Sequence, residues 1–409
     1  MKDYLKEAEE GFSPLLAIEE ASRCLLCHDA PCSKNCPAGT DPARFIRALR
    51  FLNEKGAAEV IRENNALGAI CARVCPQEKY CKLGCSRSGI DKPIEIGKIQ
   101  RYITDFEANL KMDILKKPER ELGQKVAIIG SGSAALELAA LLRMKGYGVT
   151  IFEKDEKLGG YLRYGIPSYR LPNDVLDLEI KRILDLGVEH KVNHRVNDEE
   201  FKKLKELYDA VIVATGYELA KTLPMFENHH EVELATQFLK RAKEMNGDID
   251  VYSDVLVIGG GDVAMDVVTT LKRIGTPRVI DVVYEEFSEF RASEKELAEA
   301  RAQNVSIIDG YVPMSYDGIT VNFKHRHLDS VISIKPKHII LAVGQVARMQ
   351  FGLDYEAGEV KTTNYRVGDS NVFVIGDIAH GDKTVVGAVK TAKEASYFID
   401  NFLTKERAK

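Results

Sequence analysis

The chain has 409 residues, 45% of them apolar, with a formal charge of −5 and a pI near 6.1. That length holds two or three domains with sizeable cores, and the mild, dispersed acidity argues against a nucleic-acid surface. No run approaches about 18 apolar residues and the N-terminal MKDYLKEAEEGF has no apolar stretch, so neither a membrane span nor a signal peptide is expected, and the location expected is cytoplasmic.

The first 120 residues carry all eight cysteines, in two groups. One runs Cys24, Cys27, Cys32, Cys36-Pro37, the other Cys71, Cys75-Pro76, Cys81, Cys85. Closely spaced cysteines ending in Cys-Pro are the ligand pattern of bacterial iron–sulfur proteins, and eight thiolates match two 4Fe–4S clusters. A disulfide framework is disfavoured because nothing else indicates an oxidising compartment. Two structural zinc sites are the stronger alternative, but only Cys24 and Cys27 form a CxxC pair.

Next comes KVAIIGSGSAALELAALL, read as a buried strand over Val126–Ile129, a turn, and a helix over Ala134–Met144. In the turn, Gly130 allows the tight bend, Gly132 lets the backbone approach a pyrophosphate, and the small Ala135 lets helix pack on strand. The following strand, VTIFE, ends in Glu153, where a carboxylate binds the ribose hydroxyls of an adenine dinucleotide. A second such unit, DVLVIGGGDVAMDVVTTLKRIG, has its strand at Val255–Ile258, its turn at Gly259, Gly261 and Ala264, and its helix at Val263–Arg273. Its next strand, VIDVVY, runs into Glu285 and Glu286. Two sites in one chain point to a flavin and a nicotinamide dinucleotide.

Near the C-terminus, NVFVIGDIAHGDKTVVGAV predicts a strand, Gly376-Asp377, a short loop and a helix from about Thr384. An aspartate there can hold a flavin's ribityl chain, and a helix start aimed at the ring stabilises charge on the reduced flavin; alternatively Asp377 only caps the turn. This segment must rejoin the first unit, so the second is inserted within it, with crossings expected at Ala214–Gly216 and Val343–Gln345. The expected domains are 1–120, helical; 121–245 with 338–409, FAD-binding; and 246–337, NAD-binding.

The cysteine spacing, NNALGAICARVCP, KLGGYLRYGIPSYRLP, VIGGGDVAMD and VFVIGDI resemble one family over nearly the whole chain. It comprises the glutamate synthase small subunit and the N-terminal half of dihydropyrimidine dehydrogenase, and the likeness is strongest to the flavin/NAD subunits of bacterial NAD-dependent dihydropyrimidine dehydrogenases. The resemblance implies an α/β fold of two Rossmann-like domains, for FAD and NAD(H), preceded by an α-helical domain with two 4Fe–4S clusters. It implies that Cys24, Cys27, Cys32 and Cys85 hold one cluster, and that Cys36, Cys75, Cys81 and Gln100 hold the other. Cys71 is then a spare, or it takes the place of Gln100. Through the matched motifs it adds Gly159, Gly160, Arg163, Asp262, Val263, Gly344, Thr384 and Val385 to the cofactor contacts.

Ser133 and Ala135 depart from the family's usual proline and glycine in the first turn. Glu285 and Glu286 stand where NADPH-using members carry basic residues, which implies NADH, while Arg291 matches a further basic position or is a solvated loop charge. No cysteine follows Cys85, so a disulfide-reductase pair beside the flavin is excluded. No barrel-sized segment remains for an organic substrate, and the histidines form no nucleophile or metal pattern. The chain is therefore expected to be an electron-input subunit, its partner an FMN and iron–sulfur subunit carrying the pyrimidine site in a heterotetramer. A glutamate synthase small subunit is the alternative within the same class, and an assembly module without turnover the alternative outside it.

Overall fold

In the computed structural model, which describes residues 3–250 and 252–407, the cysteine-bearing segment is helical, as its short amphipathic runs require. Six helices, from Pro14–Ser22 to Ile96–Asn109, enclose a core that includes Phe45, Leu49, Ile61, Ile99 and Ile103. Cys24, Cys32 and Cys85 pack against that core. Proline opens three of these helices, where its missing N–H has no intrahelical partner to lose.

The chain divides into two compact units. One comprises 9–162, 173–216 and 349–409, the other the described residues through Ala8, 163–172 and 217–348. In the first, five parallel strands run in the spatial order Val372–Val374, Ala210–Val213, Lys125–Ile129, Gly148–Phe152, Glu189–Lys191. The helices Ser133–Met144 and Val385–Arg407 accompany this sheet. The strand Val372–Val374 is the return that the C-terminal motif predicts.

The other unit has its own parallel sheet in the order Val232–Leu234, His338–Leu341, Asp254–Ile258, Arg278–Val282, Ser306–Ile308. An antiparallel sheet of Tyr311–Tyr316, Val321–His325 and Val331–Ile334 contributes Val321, Phe323 and Ile334 to its core. Strand pairing corrects the expected boundaries of 246 and 337. Val232–Leu234 and His338–Leu341 belong to this second sheet, because Ile339–Leu341 pairs with Val232–Leu234 and His338–Leu341 with Val255–Ile258. Arg163–Pro172 also falls in this unit rather than with the first sheet. No helix among the described residues is long and apolar enough to cross a membrane.

Candidate cofactor and cluster sites

Both glycine turns lie at the carboxyl ends of parallel strands, where open α/β sheets bind ligands. Gly130 has φ +103° and Gly259 φ +155°, and a Cβ on either would lie 2.4 or 2.3 Å from the carbonyl oxygen of Ala214 or Ala342. Only glycine lets the turn press against the end of the neighbouring strand. Gly132 and Gly261 differ, because a Cβ there meets nothing within 4 Å. Each is the N-cap of its helix, Ser133–Met144 or Asp262–Ile274, and neither helix start has a side-chain cap. Uncapped N–H groups facing open space fit a pyrophosphate. Ala135 and Ala264 are fully buried, as close helix–strand packing demands.

Around the first turn the sequence missed a participant. The Ser131 hydroxyl donates to one Glu153 oxygen, and the Asp155 N–H donates to the other at 2.9 Å. Gly159 N–H donates to Ser131 Oγ at 3.0 Å, and a Cβ on Gly160 would lie 3.0 Å from Gly132 Cα. The LGG loop therefore covers the glycine turn and holds the buried Glu153 carboxylate in one orientation. Ser131 occupies a variable position of the turn motif, so no sequence signal marks it. Arg163 is buried on the short helix Tyr161–Tyr164, three residues beyond Gly160.

Gly376 and Asp377 follow the strand Val372–Val374, and Thr391 Oγ1 accepts the Gly376 N–H at 3.0 Å. Burial raises the Asp377 carboxyl above its ordinary range, Lys383 opposing and Asp382 adding to the shift. Thr384 accepts the Gly387 N–H at 3.0 Å, which caps the helix that begins at Val385. In the second site, Glu285 Oε2 would be 2.9 Å from a Cβ on Gly260, and Arg291 Nε pairs with Glu285 Oε1 at 2.9 Å. Asp262 accepts the Ser293 N–H at 2.6 Å, the neighbouring Val263 is half-buried, and Gly344 accepts the Lys221 N–H at 2.9 Å. Glu286, expected beside Glu285, instead caps the short turn Phe287–Glu289.

Cys24, Cys27, Cys32 and Cys85 line one cavity, together with Leu25, Ile46 and Ile94. Among the described residues, no three His, Cys, Asp or Glu side chains converge tightly enough for a single metal ion. Four thiolates lining one cavity fit the corners of a 4Fe–4S cluster. Burial pushes the Cys32 thiol up to about 11, the nearby Cys24 and Cys85 sulfurs adding to the shift. Such thiols become thiolates only beside cationic charge, which iron supplies.

The second set sits deeper. Burial pushes Cys75 well up, and the nearby sulfurs of Cys71, Cys81 and Cys36 push it further. Gln100 is buried and its Nε2 donates to the Gly68 carbonyl at 2.7 Å, which fixes the amide plane. Cys71 is buried, and burial pushes its thiol up to about 12, the Asn65 side chain opposing the shift.

Two nucleotide turns on parallel sheets, with a cysteine-rich helical segment ahead of them, define an oxidoreductase of the flavin and nicotinamide class carrying an iron–sulfur domain. Residues 1–112 match the model for dihydropyrimidine dehydrogenase domain II, 4Fe-4S cluster, and residues 124–396 that for pyridine nucleotide-disulphide oxidoreductase. The chain belongs to the family of the NAD-dependent dihydropyrimidine dehydrogenase subunit PreT. It is 52% identical over 405 residues to that subunit from Salmonella typhimurium and equally so to that from Escherichia coli K12, covering 98% of each chain. The glutamate synthase (NADPH) small chain of Azospirillum brasilense is a more distant relative, 28% identical over 428 residues, covering 94% of this chain and 89% of that one. Among solved structures, FprA from Mycobacterium tuberculosis shares the fold with a TM-score of 0.60 at 17% identity, over 70% of this chain and 86% of that one. Thioredoxin reductase from Lactococcus lactis does so with a TM-score of 0.54 at 21% identity, over 69% and 99%.

Proposed function

We propose that this chain is the NADH-oxidising electron-input subunit of a cytoplasmic dihydropyrimidine dehydrogenase. Electrons pass from NADH through FAD to two 4Fe–4S clusters, and on to a partner with FMN, iron–sulfur centres and the pyrimidine site, which reduces uracil or thymine to the 5,6-dihydropyrimidine within a heterotetramer. The observation that carries this reading is the ring of Cys24, Cys27, Cys32 and Cys85 in a chain with two glycine turns and no later cysteine. Without a redox cysteine pair beside the flavin, the clusters are the way out for electrons.

The protein's own residues have separable tasks. The N–H groups after Gly132 and Gly261 receive the two pyrophosphates. Glu153, held by Ser131, and Glu285 accept hydrogen bonds from ribose hydroxyls. Asp377 orients the flavin's ribityl chain, and the helix after Thr384 presents its positive end to the ring. Gln100 completes the second cluster with Cys36, Cys75 and Cys81, a reading supported by the buried Gln100 amide held by the Gly68 carbonyl. Glu285 sits where a glutamate synthase small chain is expected to be basic, which favours the dehydrogenase reading.

The decisive measurement uses the anaerobically purified chain loaded with iron, sulfide and FAD. With NADH it is expected to reduce an artificial dye but not uracil or thymine, and pyrimidine reduction is expected only after the FMN partner is added. Pyrimidine reduction by the chain alone would refute the division of labour.

A further inference from the structure

The C-terminal helix Val385–Arg407 is tied at two points to the segments that carry the second set of cysteines. In its third turn, Lys393 Nζ donates to the carbonyls of Ala38 at 2.5 Å and Asn64 at 2.8 Å, Ala38 lying two residues beyond Cys36. At its start the tie is Tyr80, the residue before Cys81. The Tyr80 hydroxyl donates to the Asp382 carboxylate and lies 3.4 Å from Thr384 Oγ1. The loop it grips packs closely on the helix start: Thr384 caps the helix through Gly387 N–H, and a Cβ on Gly387 would come within 2.2 Å of the Asp382 carbonyl oxygen.

We infer that Tyr80 is a positioning residue for electron passage from the flavin to the Cys36–Cys75–Cys81 cluster, because its hydroxyl pins the cysteine loop to the start of the helix that faces the flavin. This rests on the cofactor reading above. Electron tunnelling falls exponentially with separation, so the tie matters most to that one step. No bond forms or breaks at Tyr80. Electrons leave the reduced flavin one at a time, two for each NADH oxidised to NAD and a proton. A phenylalanine at position 80 fills the same space but releases the loop.

The test compares the fully loaded wild type with Tyr80→Phe, Asp382→Ala, Asp382→Asn and the Tyr80→Phe/Asp382→Ala double variant. Stopped-flow absorbance follows flavin bleaching by NADH, and freeze-quench electron paramagnetic resonance follows cluster reduction. Tyr80→Phe and Asp382→Ala are expected to leave bleaching unchanged and to slow cluster reduction about tenfold, less than the roughly 100-fold that a 1 Å misplacement costs a bond-making step. The double variant should be no slower than either single one, since both remove the same contact. Asp382→Asn should retain the wild-type rate, because its amide oxygen still accepts the tyrosine hydroxyl. Cluster reduction as fast in Tyr80→Phe as in the wild type would overturn the inference. So would equal slowing of bleaching and cluster reduction, which marks general damage. A wild type that bleaches without ever reducing its clusters refutes the electron route itself.

Discussion

The proposed preference for NADH turns on Glu285. Its carboxylate reaches over the backbone of Gly260 within the second glycine turn, and Arg291 reaches back to it from a largely exposed position. In the proposed binding mode the 2′-phosphate of NADPH would meet that carboxylate, whereas the 2′-hydroxyl of NADH would donate to it. Two unit charges about 4 Å apart repel by roughly 4 kcal/mol at an effective dielectric near 20. Solvent removes about half, and Arg291, as an exposed partner, offsets a little more. What remains is on the order of tenfold in kcat/KM for NADH over NADPH. Glu285→Arg should narrow or reverse the preference, while Arg291→Ala should widen it. The measurement is kcat/KM for both nucleotides with a dye acceptor, and equal use of NADPH by the wild type would mean that Glu285 does not contact the ribose. Glu286, at the N-cap of the turn Phe287–Glu289, keeps its negative charge beside Glu285.

Among the elements, the joint between three helices rests on one buried cluster of charge. Arg62, on Glu54–Asn64, pairs with Glu107 of Ile96–Asn109 at 2.8 Å and with Glu179 of Asn173–Asp185 at 2.6 Å. Arg182 reaches the same two carboxylates, and Glu179 also accepts the Ala69 N–H at 3.1 Å. The network joins the cysteine-bearing helices to the flavin domain. Arg62→Met would leave buried carboxylates with only Arg182 for charge, and breaking such a pair costs about 3–5 kcal/mol. Burial alone would raise the Glu179 carboxyl, but Arg62 and Arg182 outweigh it and hold the group below its ordinary range. Its contribution is therefore complete above the unfolded value of about 4.3 and is lost as pH falls through the lower folded value. The thermal midpoint of the loaded wild type should drop in that acid window. Arg62→Met should melt earlier at neutral pH and show a flatter acid limb, and an unchanged midpoint would remove the network from the stability of the joint.

At the scale of the whole molecule, the helical segment is expected to depend on iron in a way the two nucleotide domains do not. Its core has Cys24, Cys32 and Cys85 packed on it, so an emptied cluster site opens that core from within. The first sheet buries Val126, Ile128, Val149, Ile151, Val211 and Val213, and both faces of the second sheet have apolar cores made without any cysteine. Anaerobic removal of iron should therefore abolish hydrogen-exchange protection across residues 9–112 and leave most of it across 124–396, with FAD still bound. Loaded protein should contain close to two clusters. Cys71→Ser should keep them, whereas Gln100→Ala should weaken or lose one, read as iron per chain; the reverse order would make Cys71 the ligand.

Much of this architecture was legible in the sequence because it is written in local periodicity. The strands expected at Val126–Ile129 and Val255–Ile258 are found at Lys125–Ile129 and Asp254–Ile258, and the helices after both glycine turns begin within one residue of expectation. Short apolar runs bounded by glycine carry that information over a few residues. The insertion of one nucleotide unit within the other followed from the C-terminal motif. Two kinds of feature depended on distant chain segments and needed the tertiary structure. The short strand Val232–Leu234 has no run long enough to announce itself, and its sheet is chosen by pairing with Ile339–Leu341, about a hundred residues away. The cavity takes Cys24, Cys27 and Cys32 from one cysteine group and Cys85 from the other, a selection that spacing left open. Ser131 on Glu153, Tyr80 on Asp382 and the ties of Arg62 are likewise contacts between segments that periodicity treats as unrelated. Residue type and spacing determine which chemistry a chain can hold, whereas the packing of remote segments decides which of those groups meet.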